Sequence, residues 1–414
     1  MNSTQFNSDA SIAISGNQLD AFSNFRTADP SFVADGQLTY DLQPLIYEQV
    51  TSANGTIVHD STNRCATISL SNAGATEEVY MKSYQYYRYQ AGRAQEIFMT
   101  FAAFAPTSNV QSFVEYGDGD NGIAFETDGT LLGSQFRIYS GTDNGDQTPV
   151  TSANWSLDKL DGTGASGITL DPTKTQIVVI DIQALYVGRV RVGFDIDGMI
   201  IWVHEFLHAN LIATPYIQTA NLPIRAGLRA TGASATGQMR FICSCVLSRG
   251  GQDQIAGYDF VARSGAITAA LDTRTHAISV RPKTTFNSIT NRIEFVLENV
   301  EIANLGSNPV YWELVVGQAL TTPVYSDANA TYSAFEFETA ATLSGDPGVV
   351  VNCGYVGGGN QNSFAVSESV KNRYPITLDS SGGVRDTGTL TLLVQSIDTG
   401  TSEIEASIHW RELR

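Results

Sequence analysis

The sequence predicts an all-β protein, with two antiparallel β-sandwiches of jelly-roll type behind an N-terminal arm. Three observations predict it. Helical period is nearly absent over 414 residues. Apolar residues instead alternate with polar ones in short runs, the mark of half-buried strands. Turn dipeptides recur between the runs, among them Asn54-Gly55, Asp128-Gly129 and Asp197-Gly198, and many short strands with regular turn signals make sandwiches. The expected division is an arm and anchoring hook over 1–30, a first sandwich over 31–250 and a second over 256–414, with Gly250-Gly251 in the junction.

Composition narrows the class. Hydrophobic residues make up 42%, enough for packed cores and too many for a disordered chain. Lys and Arg total 24 against 42 Asp and Glu, a net charge of −18. Such a surface repels phosphate backbones, so nucleic acid is not an expected partner. No run reaches the eighteen or so apolar residues of a membrane span. Met1 to Gln5 lacks the basic start of a signal peptide, so synthesis in a cytosol is expected.

Residues 1–18 are polar and weakly patterned, an arm that is ordered only where something holds it. Leu19 to Pro30, LDAFSNFRTADP, is an apolar-aromatic hook with Phe22, Phe25 and Arg26 as candidate contacts to a partner. It serves as a buried anchor or as a docking peptide for a neighbouring subunit. From Leu38 to Ala105 the runs LTYDLQPLIYEQV, GTIVHD, CATISLS, EEVYMKSYQYYRYQ and EIFMTFAAFA read as strands. Tyr84, Tyr86, Tyr87 and Tyr89 would suit a glycan-stacking platform, but half-buried strand tyrosines explain them more simply. Val110 to Ser140 adds two or three strands. Asp118 to Gly122 and Asp158 to Gly162 invite a calcium reading. Neither matches the twelve-residue calcium loop with its terminal Glu, and turn-forming Asp and Asn account for both.

Thr175 to Leu211 is the most strongly patterned stretch. Val190, Val192, Phe194 and Ile196 fall on one side, with Arg189, Arg191, Gly193 and Asp195 on the other. Asp197-Gly198 suits a type I′ hairpin turn, and Met199 to Phe206 runs back. A two-residue turn sets Ile196 against Met199, Phe194 against Ile201 and Val192 against Val203. The second face then carries Arg189, Arg191 and Asp195 with Ile200, Trp202, His204 and Phe206. Arg189, Arg191, Trp202 and His204 are candidate partner-binding residues, since tryptophan beside arginine is a mix enriched at binding hot spots. A covering loop is the first reading of that face, a protein partner the second and a sugar the third.

The same stretch contains His204-Glu205-Phe206-Leu207-His208, which spells the zinc-protease motif. Histidines four apart are neighbours on a helix but roughly 13 Å apart on a strand, at ~3.3 Å per residue. No Asp, Glu or His lies between His208 and Asp253 to act as the third ligand. We therefore read a strand with no metal site, no catalytic residue and no cofactor.

Tyr216 to Arg229 and Gln238 to Ser248 complete the first sandwich. Beyond it, HAISVRP, RIEFVLENVEIA, PVYWELVVGQ, SAFEFETA, GVVVNCGYV, TLTLLVQSI and EIEASIHWREL read as strands, with Gly354 to Asn362 as a loop. The last run reaches Arg414, so that end is expected to be built into the sheet. Cys65, Cys243, Cys245 and Cys353 are too few for a disulfide framework and are read as small buried apolar groups.

A buried strand, an Asp-Gly hairpin and two late strands resemble, in pattern, the concanavalin-type lectin sandwich. Several segments resemble a family of tailed-bacteriophage virion structural proteins. They are Asp20-Ala21-Phe22 with Phe25-Arg26, Gln43-Pro44-Leu45, Tyr89 to Arg93, Asn154-Trp155 with Leu157 to Gly164, the hairpin Gly188 to Gly198, and His204 to Asn210. The resemblance covers roughly residues 19–250; Ser23-Asn24-Phe25 replaces the family's usual Gly-Arg-Leu. It implies a non-enzymatic virion component, such as a capsid decoration, collar or tail-fibre subunit, made in the host bacterial cytoplasm. The implied partners are other virion proteins and further copies of the chain, a trimer being one arrangement. The alternative is a glycan-binding receptor-recognition protein or depolymerase of the phage tail. A glycosidase would need two carboxylates about 5–9.5 Å apart, and the sequence does not single out a pair.

Overall fold

The computed structural model describes residues 30–104, 107–127, 129, 133–183, 185–249, 257–365 and 374–414. The hook residues Phe22, Phe25 and Arg26 lie outside the described residues. The chain divides into two compact units, Met1–Asp253 and Gln254–Arg414. Among the described residues every paired strand of both units is antiparallel to its neighbours, and the only helical elements are short 3-10 turns such as Ser152–Asn154 and Asp386–Gly388.

The first unit contains β1 (Ser31–Gln37), β2 (Tyr47–Thr51), β3 (Gly55–Asp60), β4 (Cys65–Ala73), β5 (Glu78–Ser83), β6 (Ala94–Ala102), β7 (Val110–Gly117) and β8 (Gly122–Thr127). It continues with β9 (Ser134–Tyr139), β10 (Val150–Thr151), β11 (Gln176–Ile182), β12 (Val190–Ile196), β13 (Met199–Phe206), β14 (Ile224–Ala230) and β15 (Ala235–Arg249). One sheet has the order β13-β12-β11-β6-β15-β4-β3, with β1 also on β15. The other has the order β10-β9-β8-β7-β14-β5-β2. Their inner faces share one core, since period two sends alternate side chains inwards. Ile97, Met99 and Phe101 of β6 meet Val178 and Ile180 of β11, and across the sandwich lie Val114, Ile123, Phe125 and Phe136. Phe125 contacts Phe104, Phe136 and Phe194 with ring centroids 5.0–5.2 Å apart, within the favourable range for aromatic pairs.

The expected hairpin forms: β12 and β13 pair antiparallel through Asp197-Gly198. Ile196 faces Met199 and Phe194 faces Ile201, while Gly193 lies opposite Trp202. Beyond that point the register shifts, and Val192 pairs with His204 where Val203 was expected. A β-bulge adds one residue and exchanges the faces beyond it. His204 and Phe206 thus lie opposite the apolar Val192 and Val190, and Glu205 takes the place opposite Arg191. Phe206 joins the core, which corrects its expected place on the charged face.

The other departures are local. Leu38–Val50 was read as one strand, yet regular pairing begins only at Tyr47. Gln43 has φ 48°, outside strand geometry, and Pro44 follows it. The tyrosine-rich run also stops pairing early, with β5 ending at Ser83.

In the second unit one sheet contains Tyr258–Arg263, Ser402–Leu413, Glu294–Asn304 and Gln361–Ala365 in that order, with Ile267–Ala269 also on Ser402–Leu413. The other runs from Ser326–Asp327 through Phe335–Glu338, Thr275–Pro282, Leu390–Ser396 and Val310–Val316 to Val349–Val356. Trp410, Trp312, Phe335 and Leu392 belong to its core. The expected loop Gly354 to Asn362 is narrower than read, a short connection between two strands that do not pair with each other. Val349–Val356 ends inside it and Gln361–Ala365 begins there, which carries the chain from one sheet to the other.

Candidate functional site

The histidines of the zinc-like motif are held apart and already engaged. His204 lies on β13, where its Nδ1 accepts the Ser156 N–H at 3.2 Å. His208 lies beyond the strand; its Nδ1 is 2.7 Å from the Gly188 carbonyl, and its ring stacks on Tyr216 at 4.0 Å and 11°. The aspartates of the two calcium-like loops serve their own turns. Asp118 accepts the N–H groups of Asp120 and Asn121 at 3.0 and 2.8 Å. Asp158 accepts those of Leu160 and Ser166 at 2.9 and 2.8 Å.

Of the expected binding face, Arg191 and Trp202 come together and are buried. The guanidinium lies 4.5 Å from the indole centroid and its Nε donates to Asp181 at 3.2 Å. Arg189 is tied to Glu205 at 3.0 Å. His204 sits across the bulge against the ring of Phe206, with centroids 4.6 Å apart. The four residues therefore do not present one exposed patch. Tyr86 and Tyr87 are buried, and Tyr84 and Tyr89 half-buried, so they form no open stacking platform.

An open groove lies on the outer face of the first sheet. It has a volume of about 570 Å³ and is lined in part by Phe32, Asp35, Phe98, Ile177 and Asp195. Register builds it from two rungs. Gln37, Cys243, Thr100, Ile177 and Asp195 stand side by side across β1, β15, β6, β11 and β12. Asp35, Cys245, Phe98, Val179 and Gly193 form the next rung across the same strands. Gly193 contributes no side chain there, and Phe32 is 68% exposed. Four strand spacings of ~4.8 Å give a length of roughly 19 Å. Its floor is apolar, with a carboxylate at either end. The volume falls in the range of small-molecule and oligosaccharide pockets.

The cysteines depart from the sequence reading. Only Cys65 is buried; Cys243 and Cys245 are half-buried and line the groove, and Cys353 is exposed. Cys353 lies on a strand at the edge of its sheet, where outward positions meet solvent. Burial, with Cys243 and Asp35 nearby, pushes the Cys245 thiol up to about 11. It is a protonated thiol at neutral pH and hence a poor nucleophile.

Sequence reasoning missed a cluster of buried and half-buried ion pairs on the outer face of the second sheet. Arg225 on β14 lies opposite Glu115 of β7 and Lys82 of β5, and Arg229 opposite Glu78 and Gln111. The Arg225 guanidinium bonds Glu115 and Glu78, each at 2.8 Å, and packs 3.9 Å from the Tyr80 centroid and 4.7 Å from that of Phe113. Its burial would lower its pKa, but Glu115 and Glu78 together outweigh this and the net shift is upwards. Glu126 on β8 receives Gln135 Nε2 at 2.9 Å and lies 3.2 Å from Arg137 Nε. Burial raises the Glu126 carboxyl above the usual carboxylate range, against the pull of Arg137 and Gln135. Tyr139 lies over Gly122, where a Cβ would come within 2.5 Å of its hydroxyl. That position must remain glycine.

Glu115 and Glu126 are thus two buried carboxyl groups on adjacent strands with different surroundings. Both lie against arginine, Glu115 against Arg225 and Glu126 against Arg137, and burial raises the Glu126 carboxyl. Glu115 pairs with Ala124 and Glu126 with Phe113, so the two glutamates are diagonal neighbours on paired strands. A buried carboxyl whose proton affinity is raised is suited to act as an acid.

The chain matches no protein-family model and no curated protein. Solved structures similar to it are β-sandwich proteins. A carbohydrate esterase from the Shiga toxin-encoding bacteriophage phi24B has a TM-score of 0.34 and 10% identity, covering 53% of this chain and 99% of its own. A glycoside hydrolase family protein from Mycobacterium thermorestibile has 0.36 and 11%, covering 52% and 99%. A legume lectin-like domain from Entamoeba histolytica has 0.30 and 11%, covering 53% and 98%. At 10–11% identity the likeness concerns the β-sandwich fold alone. The expectation of a protein without enzymatic activity is corrected by these findings: a carbohydrate esterase and a glycoside hydrolase family protein are among the similar structures.

Proposed function

We propose that this protein is a glycan-recognising component of a tailed-phage particle, with the groove on its first sheet as the binding site. The observation that carries the proposal is the lining of that groove. Phe32 and Phe98 offer ring faces for stacking, and Asp35, Asp195, Gln37 and Thr100 offer acceptors and donors for hydroxyl groups. A strip roughly 19 Å long at ~4.8 Å per strand suits a chain of sugar rings better than a single ring. The placement in a phage particle rests on the sequence segments that resemble virion proteins, and immunogold labelling of particles tests it.

A second reading is favoured by Glu115 and Glu126: hydrolysis of a glycan on the other sheet, with Glu126 as the acid. Both readings are tested with the full chain on bacterial surface oligosaccharides. Phe32→Ala and Asp35→Ala should weaken glycan binding at least tenfold, or about 1.4 kcal/mol, with an unchanged melting temperature. Absence of glycan binding by the unaltered chain, or equal binding by Phe32→Ala, refutes the groove. Release of reducing ends that is lost in Glu126→Gln, and that falls as pH rises through the raised Glu126 pKa, supports the second reading.

A further inference from the structure

We propose that the strand Tyr258–Arg263 is a self-complementary edge through which two copies of this chain join their sheets. It is the end strand of the first sheet of the second unit, paired on one side with Ser402–Leu413. Its alternation is regular. Phe260 and Ala262 pack on the core, and Asp259, Val261 and Arg263 are exposed.

The backbone is oriented for pairing. Ser264 donates its N–H to the Ala406 carbonyl at 2.9 Å. Alternate residues of an antiparallel pair direct both backbone groups to the same neighbour. Ala262 and Phe260 therefore bond inwards, and the N–H and C=O groups of Asp259, Val261 and Arg263 point away from the sheet. A two-fold axis through Val261 sets Asp259 of one copy opposite Arg263 of the other, twice over, with Val261 facing its own copy. Such an isologous contact is the commonest form of symmetric assembly. It adds about six backbone hydrogen bonds and two cross-strand ion pairs.

The charges fit that occupant. Asp259 accepts Arg411 Nε through Oδ1 at 2.8 Å, which leaves Oδ2 for a second guanidinium. Arg263 is exposed and makes no ion pair among the described residues. Charged residues on an edge strand usually discourage pairing. In this strand opposite signs are placed symmetrically about a valine, so pairing two copies neutralises them.

The test uses the full chain at neutral pH, with its mass in solution measured by sedimentation across a concentration series. A concentration-dependent dimer is expected, weakened at least tenfold by Arg263→Glu and abolished by Val261→Pro. The proline removes only an outward N–H, so a melting temperature close to that of the unaltered chain shows that it folds. A Val261→Cys, Cys353→Ser chain should form an intermolecular disulfide under mild oxidation. Residues on the axis of such a pair lie ~5.5 Å apart at Cα, within disulfide range. A chain that stays monomeric at about 100 μM, well above the μM affinities of typical contacts, overturns the proposal. So does a dimer that is indifferent to both Arg263→Glu and Val261→Pro, or a Val261→Cys chain that does not cross-link.

Discussion

Replacing Arg225 by methionine tests the charged face of the second sheet most directly. Arg225 is 3% exposed and Glu115 2%, and they are joined at 2.8 Å. Methionine restores most of the apolar volume that lies between the rings of Tyr80 and Phe113, so little of the effect arises from a cavity. What remains is a buried carboxylate without its guanidinium. Removal of one partner of such a pair costs about 3–5 kcal/mol. For a unit of this size that corresponds to roughly 10 °C in the melting temperature. The ion pair with Glu78 contributes little, since that side chain is 29% exposed. The second change, Glu115→Gln in the Arg225→Met background, removes the stranded charge and should recover about 2 kcal/mol or more of the loss. Calorimetry of the four chains of this double-mutant cycle gives the coupling. If Arg225→Met costs less than about 1 kcal/mol, or the two changes add within about 0.5 kcal/mol, the face is not held together by this pair and the reasoning fails.

Two further outcomes follow from buried histidines. His276 is buried with its Nε2 2.9 Å from the Ser279 hydroxyl; burial lowers its pKa from 6.5 to about 4, against the pull of Glu338. Because the folded pKa lies below the unfolded one, the unfolded chain binds the proton more readily. Stability is full above pH 6.5 and falls by roughly 3 kcal/mol as pH drops towards 4. Urea titrations of the second unit's transition should show this slope, and His276→Gln should flatten it; an unchanged slope would reject the assignment. His208→Ala removes the stacked ring from Tyr216 and the bond to Gly188, and should cost about 2 kcal/mol without altering metal content. Stoichiometric zinc in purified protein, lost on His204→Ala, would reverse the reading of that segment.

The fold was legible where the information is local. The Val190–Ile196 alternation and the Asp197-Gly198 turn lie within a few residues of each other, and together they fixed the hairpin and its first pairs. The bulge beyond Gly193 was not legible, because the unbroken register already places apolar Val203 opposite Val192, whereas the observed one places His204 there. Tertiary packing of Val203 and Phe206 decided between them. The candidate sites were harder to see for a related reason. Alternation marks Glu115, Glu126 and Arg225 only as outward-facing strand residues, and an outward residue ordinarily meets water. That Arg225 bonds Glu115, 110 positions away, depends on the sheet order. The groove likewise draws its two rungs from five strands that are scattered between Ser31 and Arg249. No window of sequence contains either site.

The energetics of the second sheet's outer face bear on its purpose. Burying Arg225, Glu115 and Glu126 takes charges out of water at a cost of several kcal/mol per ion, which their mutual attraction at best roughly offsets. Well-packed apolar residues of similar size would hold the same sheet face at least as firmly. Tyr139 already shows that this face accepts a large ring over glycine. Stability alone therefore does not account for a row of ion pairs along the strands β5, β14 and β7. A face that must recognise hydroxyl groups, or pass a proton to a glycosidic oxygen, does call for such groups, held in place by their neighbours. This gives the Arg225 and Glu115 double-mutant cycle a second use. If the unaltered chain cleaves a glycan and the Arg225→Met, Glu115→Gln chain, equally stable, does not, the charges serve chemistry. If the altered chain keeps full activity, they serve only to fix the register of the sheet.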